Sequence, residues 1–364
     1  MAKNPQTAGA RSNSEVEARE SHDNTEARNA SGVSDSRNSH PSAGVHDLAL
    51  PVKDDLIATE QKLSRLLDSN EALIGEICHY LVDAGGKRLR PLFILLVYRA
   101  CGGVTARVED AIDAAIALEL IHSATLLHDD IIDGGLLRRG KPSAFARYGF
   151  APSLVAGDFL FCRAFELCGR FEERLVRTAA QACIQLTEGE VMEGRMRHNA
   201  AATIDDYIAV ITRKTASLFA AGGKVAADLA GADAKTIAAM ETLGLSIGLA
   251  FQMIDDLLDV LGPEEKIGKP VGSDLRAGII SLPVVLGVQH NTEFARNFRA
   301  GTRLEGADFE HALQLMRDPS LIARGRAMAA DRVSHARDLL DQLEPSIYRD
   351  SLSLLIDEQT HRKD

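Results

Sequence analysis

Three aspartates close the stretch LLHDDIIDGG, at positions 129, 130 and 133. Apolar helix formers lead up to them and two glycines follow, which places Asp129, Asp130 and Asp133 in the last turn of a helix. Free carbonyls already make that end negative, so the aspartates oppose the helix dipole. A second stretch, FQMIDDLLDVLG, repeats the pattern with Asp255, Asp256 and Asp259. The i, i+1, i+4 spacing puts Asp129 with Asp133, and Asp255 with Asp259, on one helical face, where like charges repel. A hard cation relieves that repulsion. Mg2+ takes oxygen ligands, with one or two carboxylates per ion beside phosphate oxygens, so two such clusters could hold several Mg2+ ions on one diphosphate.

A single match would carry little. With 52 acidic residues in 364, three specified acidic positions recur by chance roughly once in a chain of this length. Glu109, Asp110 and Asp113 share the spacing, but they lie near a helix start, where carboxylates are favoured. Two strictly aspartate clusters, each closing an apolar helix, stand apart from that background. A solvated acidic surface is the competing reading.

A diphosphate also needs positive charge. GGKRLRP places Lys87, Arg88 and Arg90 just before a helix beginning near Pro91, whose free N–H groups attract anions. Arg138 and Arg139 follow the first aspartate cluster, and Lys214 with Thr215 lies in TRKTAS. Lys269 comes ten residues after Asp259. His122 sits two helical turns before Asp129, and Gln252 shares the face of Asp255 and Asp259. A core histidine and a helix-surface amide are the alternatives for these two.

The elements that must position these residues are helical. Residues 1 to about 45 hold no Leu, Ile or aromatic residue and cannot offset the entropy of folding, so disorder is expected there. From 46 to 364 we expect one all-α domain of ten or more helices. Gly85–Gly86 ends one helix, Pro91 to Cys101 forms a central one, and Gly102–Gly103 closes it. A long helix then ends at Gly134–Gly135, and others cover about 153–170, 172–196, 204–231 and 234–261. Strand signals are sparse. A net charge of −11 argues against a nucleic-acid binder. Five cysteines without a CxxC pair fit small buried hydrophobes in a reducing cytoplasm. No apolar run reaches the ~18 residues of a membrane span, and the polar N-terminus is no signal peptide.

The segments GGKRLRP, LLHDDIIDGGLLRRGKPS, GDFLF, RKTASLF and FQMIDDLLDVLG…GKPVGSDL, in this order, resemble the trans-isoprenyl diphosphate synthases, also called polyprenyl synthetases, over about residues 50 to 362. The resemblance implies an all-helical bundle around a deep central cavity, usually a homodimer, with Mg2+ as cofactor. It implies that Lys87, Arg90, His122 and Arg139, with the backbone of Gly86, hold isopentenyl diphosphate. Asp129, Asp133, Asp255, Asp256 and Asp259 would bind Mg2+ directly or through water. Arg138, Lys214, Thr215, Gln252 and Lys269 would grip the allylic diphosphate. Catalysis would rest on Asp129, Asp130, Asp133, Lys214, Asp255 and Asp256. One departure is visible: where many members carry Gly-Lys after the second aspartate motif, this chain has Gly278–Ile279.

The tail of the product would run from Asp129 deeper along the same helix. Thr125 and Ala124, four and five residues earlier, are both small, where short-chain members place an aromatic floor. Ile121 stands on the next turn. One turn advances ~5.4 Å, so a product of about thirty carbons or more is expected, as used for quinone side chains. A short-chain farnesyl or geranylgeranyl synthase, and the catalytic subunit of a heteromeric synthase, are the alternatives. A terpene cyclase would carry a different second metal motif from DDLLD.

Overall fold

The computed structural model describes residues 48–262, 271–299 and 304–361. The expected disordered tail therefore lies outside the described residues, and so does Lys269. The described chain is all-α. In order it runs α1 (Lys53–Leu66), α2 (Ala72–Val82), α3 (Leu89–Ala100), α4 (Val108–Ile132), α5 (Ala144–Tyr148), α6 (Phe150–Cys168), α7 (Glu173–Met196) and α8 (Ile204–Ile211). A π-helical turn (Thr212–Ala216) links α8 to α9 (Ser217–Leu229). Then follow α10 (Ala234–Leu261), α11 (Ser273–Ala277), α12 (Leu282–His290), α13 (Thr292–Arg299), α14 (Gly306–Met316), α15 (Pro319–Leu340) and α16 (Ile347–His361).

The central helix expected around Pro91 is present and starts two residues earlier, at Leu89. Every residue from Pro91 to Tyr98 is buried. The apolar core falls into two clusters. One gathers α3, α4 and α9, and the other gathers α12, α14 and the end of α10. Helix α10 belongs to both: Leu243 and Ile247 join the first, Met253 and Leu257 the second. The first aspartate motif thus ends a helix of one cluster and the second ends the helix that both share.

The sequence pattern missed one hairpin. Strands β1 (Leu137–Arg138) and β2 (Lys141–Pro142) pair antiparallel, Leu137 with Pro142 and Arg138 with Lys141. Arg139 and Gly140 form the turn, with φ of 53° and 73°. Two positive φ values match the twist that a tight two-residue hairpin needs.

One expectation needs correction, on the cysteines. Helices α4, with the turn before it, and α10 are long and apolar enough by length and composition to cross a membrane, although charges interrupt their apolar runs. Most of each apolar window is buried inside the fold, as core helices are. Of the five cysteines, Cys162 is exposed on α6 rather than buried. The chance acidic triad behaves as expected of structural carboxylates. Lys62 bridges Glu109 and Asp113, each at 2.5 Å, and Arg170 bridges Asp110 and Asp113.

Helices α9 and α10 approach backbone to backbone. A Cβ on Gly244 would lie 2.2 Å from the carbonyl oxygen of Phe219, and one on Gly223 would lie 2.1 Å from that of Met240. Those carbonyls cannot rotate away. Gly244→Ala should therefore cost roughly 2–3 kcal/mol, read as a lower urea midpoint. Gly194→Ala, in open space on α7, should be neutral or gain up to roughly 1 kcal/mol.

Candidate active site

The basic segment before α3 divides its work. Arg88 takes a left-handed conformation, φ 46°, which turns its side chain into the protein. Its guanidinium donates to Glu60 (2.8 Å), Glu119 (3.3 Å) and the Val82 carbonyl (3.0 Å). It is a strut. Arg90 instead lies over the ring of Phe219, 4.8 Å from its centre, with a buried Nε that has no hydrogen-bond partner. Burial lowers its pKa, and the fields of Glu119 and Asp255 oppose that. The hairpin delivers Arg139 to the same place: a Cβ on Gly86 would meet its guanidinium at 3.1 Å. Glycine there lets the arginine lie flat on the backbone. Lys87 is exposed next to Gly86.

His122 faces this group from α4. Burial, then Arg90, Arg138, Arg139 and Arg88, hold its pKa well below the usual imidazole value, so it is neutral at pH 7. Four arginines around a neutral histidine form an anion pocket. Glu119, one turn before His122, is the buried carboxylate that steadies it. The sequence reading passed over Glu119, although a lone acid inside an apolar helix was visible.

The first aspartate cluster is answered largely by protein cations. Arg138 clamps the buried Asp130 with both Nε and Nη2, at 2.7 to 3.0 Å. Arg197, at the end of α7, pairs with Asp133. Asp129 has no such clamp among the hydrogen bonds of the described residues. Burial pushes its pKa to about 7, with Lys214 and Arg138 pulling it down and Glu190 and Asp133 pushing it up.

Lys214 stands in the π-helical turn, whose wider winding redirects its side chain. Its ammonium lies 2.6 Å from both Glu190 and Glu193 of α7. These glutamates hold its pKa above the ordinary lysine value although burial opposes them. The next residue, Thr215, donates to Gln252 Oε1 (2.8 Å), and Gln252 donates to Asp256 (2.8 Å). The π turn therefore joins the two aspartate clusters: Lys214 in the field of Asp129, Thr215 hydrogen-bonded towards Asp256.

The second cluster turns partly inward. Asp256 is buried and accepts from the Tyr207 hydroxyl (2.7 Å), Gln252 and the Leu282 N–H (3.0 Å). Burial pushes its pKa to about 7 against those three hydrogen bonds. Asp259 is buried and accepts from Ser273 Oγ (2.7 Å). Asp255 is half-buried. An ion at Asp256 or Asp259 must share oxygens that already accept protein donors. Asp129, Asp133 and Asp255 are the more accessible members. Hard carboxylate oxygens beside an anion pocket are a donor set that fits Mg2+.

Beyond the expected residues, the structure adds Glu119, Gly189, Glu190, Glu193, Arg197 and Tyr207. Only the glutamates carried a readable signal, at i and i+3 on one helix face.

Comparison with known proteins agrees with this geometry. Residues 71–316 match the family model described as polyprenyl synthetase. The short chain isoprenyl diphosphate synthase of Methanothermobacter thermautotrophicus is 35% identical over 83% of this chain and 94% of its own length. The heptaprenyl diphosphate synthase component 2 of Geobacillus stearothermophilus is 34% identical over 80% of this chain and 91% of its own. Among solved structures, a polyprenyl synthase from Caulobacter crescentus, complexed with calcium and isoprenyl diphosphate, superposes with a TM-score of 0.83. It is 34% identical and is matched over its whole length, 89% of this chain.

Asp129 yields a test of the site's electrostatics. Its folded pKa of about 7 lies above the ordinary 3.8, so it adds no penalty at low pH and weakens the fold as pH rises through 7. Asp129→Asn removes that penalty. In chelator, its melting temperature should exceed the wild type's by a margin that widens from about pH 4 to about pH 7 and then levels off. A margin independent of pH would contradict the assignment.

Proposed function

This chain belongs to the polyprenyl synthetase family and is a prenyl diphosphate synthase of the trans-isoprenyl type; we propose that it joins isopentenyl diphosphate head-to-tail to an allylic diphosphate, with Mg2+, and builds a long all-trans chain. The observation that carries the reading is the π turn that reaches both aspartate clusters, Lys214 in the field of Asp129 and Thr215 linked through Gln252 to Asp256, beside the group of arginines around His122.

In this reading Asp129, Asp133 and Asp255 hold Mg2+ foremost, with Asp256 and Asp259 behind them. Bound Mg2+ neutralises the departing diphosphate. Lys214, Thr215, Gln252, Arg138 and Lys269 orient that diphosphate. Arg90, Arg139, Lys87 and the Gly86 backbone hold isopentenyl diphosphate. His122, being neutral, donates one hydrogen bond without adding charge. The allylic C1–O bond breaks towards the clamped diphosphate, leaving C1 carbocation-like. The double bond of isopentenyl diphosphate attacks C1, and a proton then passes to the released diphosphate. Preorganised charge supplies the rate.

Long-chain synthesis is supported by the small residues Thr125 and Ala124 below Asp129. Ala124 and Ile121 are fully buried, so a growing tail must part close-packed side chains there. The named relatives include short-chain and heptaprenyl enzymes, so likeness alone does not choose. A second copy of the chain as partner is supported by Val155 and Phe165 on α6 and Ile184 and Val191 on α7, each about half exposed. A cytoplasmic enzyme that passes an insoluble product to a membrane, for quinone side chains, completes the proposal.

The purified chain, given an allylic starter, isopentenyl diphosphate and Mg2+, should form products of about thirty carbons or more by chromatography and stop when the metal is chelated. Products of fifteen or twenty carbons would favour the short-chain alternative, and activity only with a second polypeptide the heteromeric one. Asp255→Ala should lower turnover about a hundredfold or more. Ala124→Phe should shorten the product; an unchanged length in a folded variant would refute the tunnel assignment.

A further inference from the structure

Glu190 and Glu193 have no part in the chemistry above, yet both are turned into the site. They lie on adjacent turns of α7, half-buried, and each offers a carboxylate oxygen 2.6 Å from the Lys214 ammonium. Gly189, beside them, is buried, and a Cβ there would lie 2.5 Å from the Lys214 backbone nitrogen. Helix α7 therefore touches Lys214 at both ends of the residue. Its neighbour Arg213 points elsewhere, donating to the Ala209 carbonyl (3.0 Å) and standing 3.9 Å from Glu188.

We propose that Glu190 and Glu193 are positioning residues that hold the Lys214 ammonium beside Asp129, aimed at the diphosphate of the allylic substrate. The inference rests on the reading of Lys214 as a ligand of that diphosphate. A lysine side chain is long and flexible, and fixing it costs rotamer entropy with each binding event. Glu193 accepts a hydrogen bond from the ammonium (2.6 Å) and Glu190 faces it as an ion pair (2.6 Å), which leaves N–H donors of the ammonium for a phosphate oxygen. The two glutamates also keep the buried ammonium charged. Lysine enters binding already placed, and the substrate is spared the ordering cost.

The test uses the full chain with Mg2+ and both substrates. Glu190→Gln and Glu193→Gln keep shape and remove charge. Each should raise KM for the allylic diphosphate about tenfold, with KM for isopentenyl diphosphate unchanged and kcat within about twofold. Glu188→Gln, on the Arg213 side of the same helix, should leave all three values unchanged. An unchanged allylic KM in both glutamate variants, a parallel rise in both KM values, or an equal rise in Glu188→Gln would overturn the proposal. Lys214→Ala separates the two layers. If it raises the allylic KM while the glutamate variants do not, the positioning role fails and the site reading stands. If it leaves that KM unchanged, the site reading itself fails.

Discussion

Carboxylates brought together in a protein interior repel one another and lose their water, and the fold around the two aspartate clusters is governed by that cost. The response is local. Asp130 has Arg138, Asp133 has Arg197, Asp256 has a tyrosine hydroxyl, an amide and a backbone N–H, and Asp259 has a serine. Asp129 has no side-chain clamp among the hydrogen bonds of the described residues, and burial pushes its carboxyl to about 7. The chance triad at Glu109, Asp110 and Asp113 shows the same repulsion settled fully by Lys62 and Arg170. Identical spacing leads to struts in one place and a partly compensated cluster in another, and the difference is how completely protein cations pair with the carboxylates.

Each compensating group comes from a different element. Arg138 rides on the hairpin, Arg197 on the end of α7, Lys214 on the π turn, Tyr207 on α8 and the Leu282 N–H on α12. The clusters thus act as hubs that draw both apolar cores towards one point. Close approach makes this possible. Gly189 lets α7 lie against the backbone of Lys214, Gly86 lets Arg139 lie against the turn before α3, and Gly248 brings α10 onto Ala216. Glycine is used here for its missing side chain more than for its backbone freedom.

Much of this was legible in the sequence. Helix α10 begins and ends where composition placed it, since Asp233 caps its start and Gly262 follows its last turn. The DDxxD repeats and the flanking basic segments point to the candidate site because their residue types admit few chemistries in combination. What the sequence could not carry was direction. Arg88 and Arg90 are two residues apart, yet one is a strut and the other a pocket wall, because a left-handed turn at Arg88 lies between them. The continuous helix expected over 204–231 is interrupted by a π turn that no hydrophobic period reveals. Glu190 and Glu193 share one face of α7, but only the fold brings Lys214 opposite them. Pairing across elements is a tertiary fact, and periodicity within one element does not contain it.

The site holds two opposite excesses side by side. On one side burial, reinforced by Arg90, Arg138, Arg139 and Arg88, keeps a histidine neutral, with Glu119 as a buried counter-charge. On the other, burial, with smaller contributions from Glu190 and Asp133, pushes the Asp129 carboxyl to about 7. Each excess is costly alone, and the protein could have cancelled both by pairing them directly, as it does at Asp130 and Arg138. It does so only in part. Under the proposed function, a substrate with a highly charged anionic end, carried with hard cations, would satisfy both sides at once, and the cost of each excess would become affinity for that combination over either charge by itself. Preorganisation of this kind gives up some stability for selectivity. It also explains why the compensation is uneven: the groups fully paired within the protein set the geometry, and those left partly paired are the ones that can still bind.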